Sequence, residues 1–552
     1  MRDRLVTFPR HDGAFALRSA HVPACCLEGV DPASLAINVD GLALVNIVVR
    51  DGRIDSIEPA GALSTGSGYP ELDVKGKMVL PTFADLHTHV DKGQTCERSR
   101  NPDGSLTGAD RSTAADAAFW DADDLRRRMH FGLACAWAHG TSALRTHLIN
   151  MTPAQTALTW PVFAEVRAAW RGRVALQGVS LVALSFYRDE AAATRLADLV
   201  AAHGGLLGAA VCCAERGGDP ADDWTTCEAD RGALLDRIFR LAKERDLDLD
   251  FHTDENGNER AKALRYVAEK TIEHGYEGRV VCGHCCSLSA QSPEDLKITL
   301  GLARRAGITV VSLPLVNQWT QDRRPGRTPQ WRGIPPLHEV RAAGVPLALA
   351  SDNTRDQFCA YGDLDMLEVL TQSCRMAHLD RPYEDWLMSR PQGDRVVVRA
   401  GRPIDARPPA YEALDDLNLP SGLRSFVGAS AYATAEPEPE TAASADGRVA
   451  RLLFKGLARR RGPRPAARST DAEVSPKRRR VQLAAYCDAG PGAWDEVVAA
   501  TPSGLLRAGP WGLLGRLAGQ ETAVPLAGVL ALGASTLAIG AALGFALGKW
   551  AK

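Results

Sequence analysis

The chain has almost no net charge: 65 Lys and Arg stand against 67 Asp and Glu, a formal charge of −2. That balance gives no general pull toward nucleic acid or acidic membrane surfaces, and no nucleic-acid partner is expected. No apolar stretch follows the charged start MRDRLVTFPRHDGAF, so no secretory signal is read. The 13 cysteines include the adjacent pairs Cys25-Cys26, Cys212-Cys213 and Cys285-Cys286, which is not the pattern of a disulfide scaffold. Reduced thiols in the cytoplasm are the expectation. No Gly-rich phosphate loop follows an early strand, which argues against an open doubly wound sheet. No Pro-Cys-x-x-Cys occurs, so the zinc deaminase architecture that pairs H-x-E with that motif is set aside.

What is present points to a large folded region. With 552 residues, 45% apolar and 24% charged, the chain can bury a sizeable core. The first eighty residues hold short strand-like runs broken by Gly, Asp and Pro, with Asp51-Gly52 as a hairpin turn. From Val79 to about Ala350 strands and helices alternate. The strand runs are VLPTFADLH, SALRTHL, VALQGVSLVAL, GLLGAAVCC, LDLDFHT, RVVCGHC, ITVVSLPL and VPLALAS. Eight such units predict an α/β fold, a (β/α)8 TIM-like barrel.

Five polar residues stand at or just beyond the ends of these runs: His87 and His89, His252, His284, and Asp352. Parallel barrel strands converge at their C-terminal ends, so residues far apart in sequence meet there. Imidazoles with a carboxylate suit a borderline divalent ion such as Zn²⁺ or Fe²⁺, and the pattern predicts a metal-dependent hydrolase. Cys282-Gly-His-Cys285 has dithiol spacing, but its place in the strand series argues against redox chemistry. His147 in RTHL reads equally as a structural residue or as a group behind the ligands.

Taken together, HTHVDKGQT, RTHL, HTDENGNE, VCGHC, PLVNQWTQDRR, WRGIPPLHEVRAAGV and SDNTRDQFCAYGDLDML resemble the amidohydrolase superfamily. Within it the chain is most similar to the bacterial-type, barrel-fold cytosine deaminases, from about Phe15 to Arg381. The resemblance implies one divalent metal held by His87, His89, His252 and Asp352. It also implies catalytic roles for Glu255, His284 and Asp352: ring protonation, stabilisation of the attacking oxygen, and acceptance of the water proton. GLLGAAVCCAE contains no lysine for a carbamylated bridge, which favours a single metal. The implied reaction is hydrolytic deamination of a cyclic amidine, a small aminated heterocycle, with ammonia released.

Two departures bear on substrate and integrity. LSFYRD places Phe186 where cytosine deaminases carry a glutamine, and position 353 is Asn where some relatives have Asp. Phe186, Asn317, Gln321 and Asn353 are the candidate substrate-binding residues, and another aminated ring such as a triazine is the alternative substrate. Several dozen residues expected between Met388 and Ser389 are absent, so a non-catalytic, membrane-tethered pseudoenzyme is a further alternative. Their loss would leave the eighth strand without its covering helix.

The expected organisation is residues 1–80 as part of a small β domain, 81–388 as the barrel, and 389–407 as a remnant of the β domain. Residues 408–522 form a disordered basic, Pro-rich linker. Residues 523–548, free of charge throughout, form a hydrophobic tail helix long enough to span a bilayer, which would tether a cytoplasmic catalytic region. Homo-oligomerisation is left open.

Overall fold

The structure is a computed structural model. It describes residues 13–379 except 28–29, 39–40, 62–67, 212–229 and 325, together with short strands at Val398–Arg399, Arg402–Pro403 and Ala485–Tyr486. All of them fall within Met1–Ser503. The tail 523–548, the junction Met388–Ser389 and nearly all of the linker 408–522 lie outside the described residues. Among the described residues no helix is long and apolar enough to cross a membrane.

The N-terminal segment folds as a four-stranded sheet. Strands β1 (Phe15–Pro23), β2 (Leu42–Arg50), β3 (Arg53–Pro59) and β4 (Glu71–Asp73) lie in the order β3-β2-β1-β4. Only Asp51 and Gly52 join β2 to β3, with Arg50 paired to Arg53. Both turn residues have positive φ, +50° and +76°, as a two-residue type I′ hairpin requires, so the Asp-Gly turn read from sequence is correct. Alternating residues of β1 and β2, among them Phe15, Leu17, Val45 and Ile47, bury one face in a small core.

From β5 onward strands and helices alternate. Strands β5 (Thr82–Thr88), β6 (Thr141–Ile149) and β7 (Ala175–Leu181) form one parallel ladder. Strands β8 (Leu207–Val211), β9 (Leu249–Thr253), β10 (Val280–His284), β11 (Thr309–Ser312) and β12 (Leu347–Leu349) form another, in chain order. Isolated parallel bridges connect the two ladders at both margins: Val179 to Leu206 and Ala183 to Ala210 on one side, Thr88 to Asp352 on the other. Every residue of β8, β9 and β10 is buried, as expected of parallel strands covered on both faces. Ala485–Tyr486 pairs antiparallel with β5, and Val398–Arg399 pairs with Arg402–Pro403.

The helices α1 (Leu106–Asp116), α2 (Ala122–Ala138), α3 (Pro153–Ala169), α4 (Glu190–Ala202), α5 (Arg231–Arg245), α6 (Ala263–Glu273), α7 (Pro293–Ala306), α8 (Pro314–Thr320), α9 (Leu337–Ala342) and α10 (Met366–Ala377) fill the connections. Their ends follow local chemistry. Ser292 caps α7 by accepting from Asp295 N at 3.2 Å, Pro293 occupies the first turn, and Gly307 closes the helix at φ +68°. Helix α5 buries Leu234, Leu235, Ile238, Phe239, Leu241 and Ala242, one apolar stripe against the strands.

Loss of the segment after Met388 was expected to leave the eighth strand of the series uncovered. The structure corrects this. Met366 and Val369 of α10 cluster with Leu349 of β12 and Leu337 of α9, and Phe83 of β5 packs against the same group. A helix lying before the junction thus packs on β12, although Leu347 and Ala348 stay only half-buried.

Candidate metal centre

Each strand-end residue singled out in the sequence reaches one buried spot. His87 ends β5 with Thr88, and His89 follows. His252 lies in β9, and Asp352 stands three residues past β12. His87 Nε2 is 3.2 Å from His252 Nε2 and 3.6 Å from Asp352 Oδ1. His89 Nε2 is 3.4 Å from His252 Nε2 and 3.2 Å from Asp352 Oδ1. A tetrahedral ion bound at 2.0–2.1 Å separates its ligand atoms by about 3.3 Å. Four of the six separations among these donors are near the edges of such a shell.

The donors are also in the chemical state a cation needs. Burial, and then neighbouring imidazoles and Lys92, hold His87, His89 and His252 well below the usual histidine range, so they are neutral. His89 Nδ1 donates to the carbonyl oxygen of His147 at 3.1 Å, which leaves the Nε2 lone pair for a metal. Both carboxylate oxygens of Asp352, and Nδ1 of His87 and of His252, are buried without a hydrogen-bond partner. Burial, then the charge of Glu255, pushes the Asp352 carboxyl well up, and a dication would reverse that. The residues present therefore fit one divalent ion held by His87, His89, His252 and Asp352.

The backbone is bent to place these groups. His284 and Asp352 have φ of +65° and +67°, a conformation unusual for residues with a side chain. Asp352 N donates to His87 O at 2.8 Å, tying the first strand of the series to the last. Gly283 lies against His87, and a Cβ there would stand 2.9 Å from His87 Cε1 and Nδ1.

Glu255 and His284 sit beside the ligands. The His284 ring is 5.2 Å from that of His87 and 5.0 Å from that of His252, centroid to centroid. Its Nδ1 lies 3.7 Å from Glu255 Oε1. Asn317 Nδ2 is 2.9 Å from His284 Nδ1 and 3.3 Å from Glu255 Oε1, and Gln321 Nε2 donates to Glu255 O at 3.2 Å. Asn353 lies next to Asp352, and its Nδ2 donates to Asp356 Oδ2 at 2.6 Å. Phe186, in the turn after β7, packs half-buried on the main core, edge-on to Tyr187.

Sequence reasoning passed over a charged layer beneath the ligands. Arg145 Nη1 donates to Asp250 Oδ2 at 2.8 Å, and Arg145 Nε donates to Gln177 at 3.1 Å. The other Asp250 oxygen faces His147 Nε2 at 3.2 Å, and the His147 ring lies tilted against that of His87, 3.8 Å between centroids. Asp85 accepts from Ser351 N and Oγ at 3.1 and 2.5 Å. A signal existed. Asp85, Arg145 and Asp250 each precede a histidine by two on an apolar strand, hence share its inward face.

Residues 187–389 match the family model described as the amidohydrolase family. The chain is 41% identical over 447 residues to a pterin deaminase of Rhizobium rhizogenes, covering 74% of this chain and 97% of that protein. It is 28% identical over 367 residues to N-isopropylammelide isopropyl amidohydrolase of Pseudomonas sp. (strain ADP), covering 64% of this chain and 83% of that one. Among solved structures, 5-methylcytosine deaminase of Klebsiella pneumoniae liganded with 5-fluorocytosine superposes with a TM-score of 0.56 at 19% identity, over 67% of this chain and 82% of that one.

Proposed function

The chain belongs to the amidohydrolase family and is a hydrolase acting on C–N bonds, and within that family we propose that it deaminates a pterin, using one divalent metal. The observation that carries this is the closeness of His87 and His89 to both His252 and Asp352, with Glu255 and His284 beside them. The cytosine-like ring expected from motif resemblance thus broadens to aminated heterocycles, and the extent of the match with the pterin deaminase supports the bicyclic choice. We read the two parallel ladders, bridged at both margins, as one (β/α)8 barrel whose C-terminal strand ends form the site.

When bound, the metal supplies a water molecule acidified toward neutrality. Asp352 accepts the proton this water loses as its oxygen adds to the amino-bearing carbon. Glu255 delivers a proton to the adjacent ring nitrogen. His284 donates a hydrogen bond to the oxygen as the carbon becomes tetrahedral. Asp352 passes the proton it accepted to the amino group, the C–N bond breaks and ammonia leaves, and the remaining hydroxyl proton returns to Glu255 as the ring carbonyl forms.

The test is ammonia release by the purified, metal-loaded full chain on pterin, cytosine, guanine and an amino-triazine. Pterin should be turned over with the highest kcat/KM, and His252→Ala should lose both metal and activity. Preference for a single-ring substrate would overturn the pterin assignment. Full turnover by His252→Ala would overturn the metal centre.

A further inference from the structure

We propose that Asn317 is a positioning residue that sets the tautomer of His284 and orients Glu255 at the same time. Its catalytic meaning rests on the deaminase reading, but its geometry stands without it. Asn317 is fully buried in the first turn of α8, directly after β11. Its Nδ2 faces two acceptors, Glu255 Oε1 at 3.3 Å and His284 Nδ1 at 2.9 Å.

Whether Glu255 is ionised or carries its acid hydrogen on Oε2, its Oε1 accepts, so the amide turns its nitrogen, not its oxygen, toward it. That choice decides the second bond. The other amide hydrogen points to His284 Nδ1, which therefore carries a lone pair, and the imidazole hydrogen sits on Nε2. A direct bond from His284 Nδ1 to Glu255 does not compete, because 3.7 Å is too long. One side chain thus couples the donor that meets the developing oxyanion to the group that moves protons.

The same helix grips Glu255 a second time. Gln321, the residue that ends α8 with extended backbone, donates from Nε2 to the Glu255 carbonyl oxygen at 3.2 Å. Asn317 fixes the side chain and Gln321 the main chain. The NQWTQ segment that sequence reading assigned to the substrate works, on this view, on the catalytic pair.

The experiment is nitrogen NMR of the zinc-loaded full chain labelled at histidine, with His284 assigned by its loss in His284→Asn. Wild-type His284 should carry its hydrogen on Nε2. Asn317→Asp, whose carboxylate can only accept, should move it to Nδ1. That variant should keep one metal per chain and a near-normal KM, while kcat falls on the order of 100-fold or more. A wild-type hydrogen on Nδ1, or no tautomer change in Asn317→Asp, overturns the proposal. Should Asn317→Asp fail to fold, Asn317→Ala decides: a mixed tautomer with reduced kcat supports the role, and wild-type values of both reject it. Absence of ammonia release by the wild type would sink the deaminase reading while leaving the tautomer result legible.

Discussion

Arg145 and Asp250 form a 2.8 Å ion pair with side chains only 2% and 0% exposed, directly beneath the candidate metal donors. Each stands two residues before a histidine of the centre, His147 on β6 and His252 on β9. The pair therefore reaches between two strands that are not hydrogen-bonded to each other, beneath the rings of His147 and His252. It is a support for the site as much as for the fold.

Breaking that pair should be costly. Asp250→Asn leaves a buried guanidinium uncompensated, which typically costs about 3–5 kcal/mol. Thermal unfolding should show the loss, and metal affinity should fall roughly 10–100-fold, as for other groups behind metal ligands. The double variant Arg145→Met, Asp250→Leu should recover most of the stability but not the metal affinity. Recovery of both would mean the pair has no part in the centre.

Gly283 offers a cleaner perturbation. A Cβ 2.9 Å from the His87 ring must push that ring aside, a crowding cost of about 1–3 kcal/mol. Gly283→Ala should stay folded by circular dichroism yet hold well under one metal per chain. Normal metal content in this variant would show that His87 can move without loss.

Metal removal should yield a folded but less stable apoprotein. Binding to the native state alone stabilises by about 2.7 kcal/mol when free metal is 100 times its Kd. Elemental analysis after reloading should give one ion per chain, since the donors make a single shell. Two ions would require ligands beyond His87, His89, His252 and Asp352.

Asp85 gives a pH signature. Burial pushes its carboxyl up to about 7, against the opposing hydrogen bonds from Ser351. A folded pKa above the unfolded one means the native state binds more protons between about pH 4 and 7. The stabilisation is complete below about pH 4 and is lost as pH rises through about 7, on the order of 4 kcal/mol. Melting of the apoprotein should therefore fall across that window relative to Asp85→Asn. A constant difference between the two proteins would refute the assignment.

That His87, His89, His252 and Asp352 would meet was legible because each follows an apolar run that reads as a buried strand, and parallel strands deliver such residues to one end. The Asp51-Gly52 turn was legible because only certain residues tolerate two successive positive φ angles. The covering of β12 was not, since it depends on where α10 packs and not on chain length after it.

By itself the sequence determined the strand-and-helix order, which polar residues stand at the strand ends and the absence of a lysine on the fourth strand of the series, all local properties of composition and period. Tertiary structure alone decided what those donors rest on and what faces them. Arg145 on β6 reaches Asp250 on β9, and Asp85 on β5 reaches Ser351, only when distant strands turn these residues toward one interior. Asn317 sits 62 residues from Glu255 and 33 from His284. Its bond to both exists because β9, β10 and β11 lie side by side, and no spacing rule connects residues across that ladder.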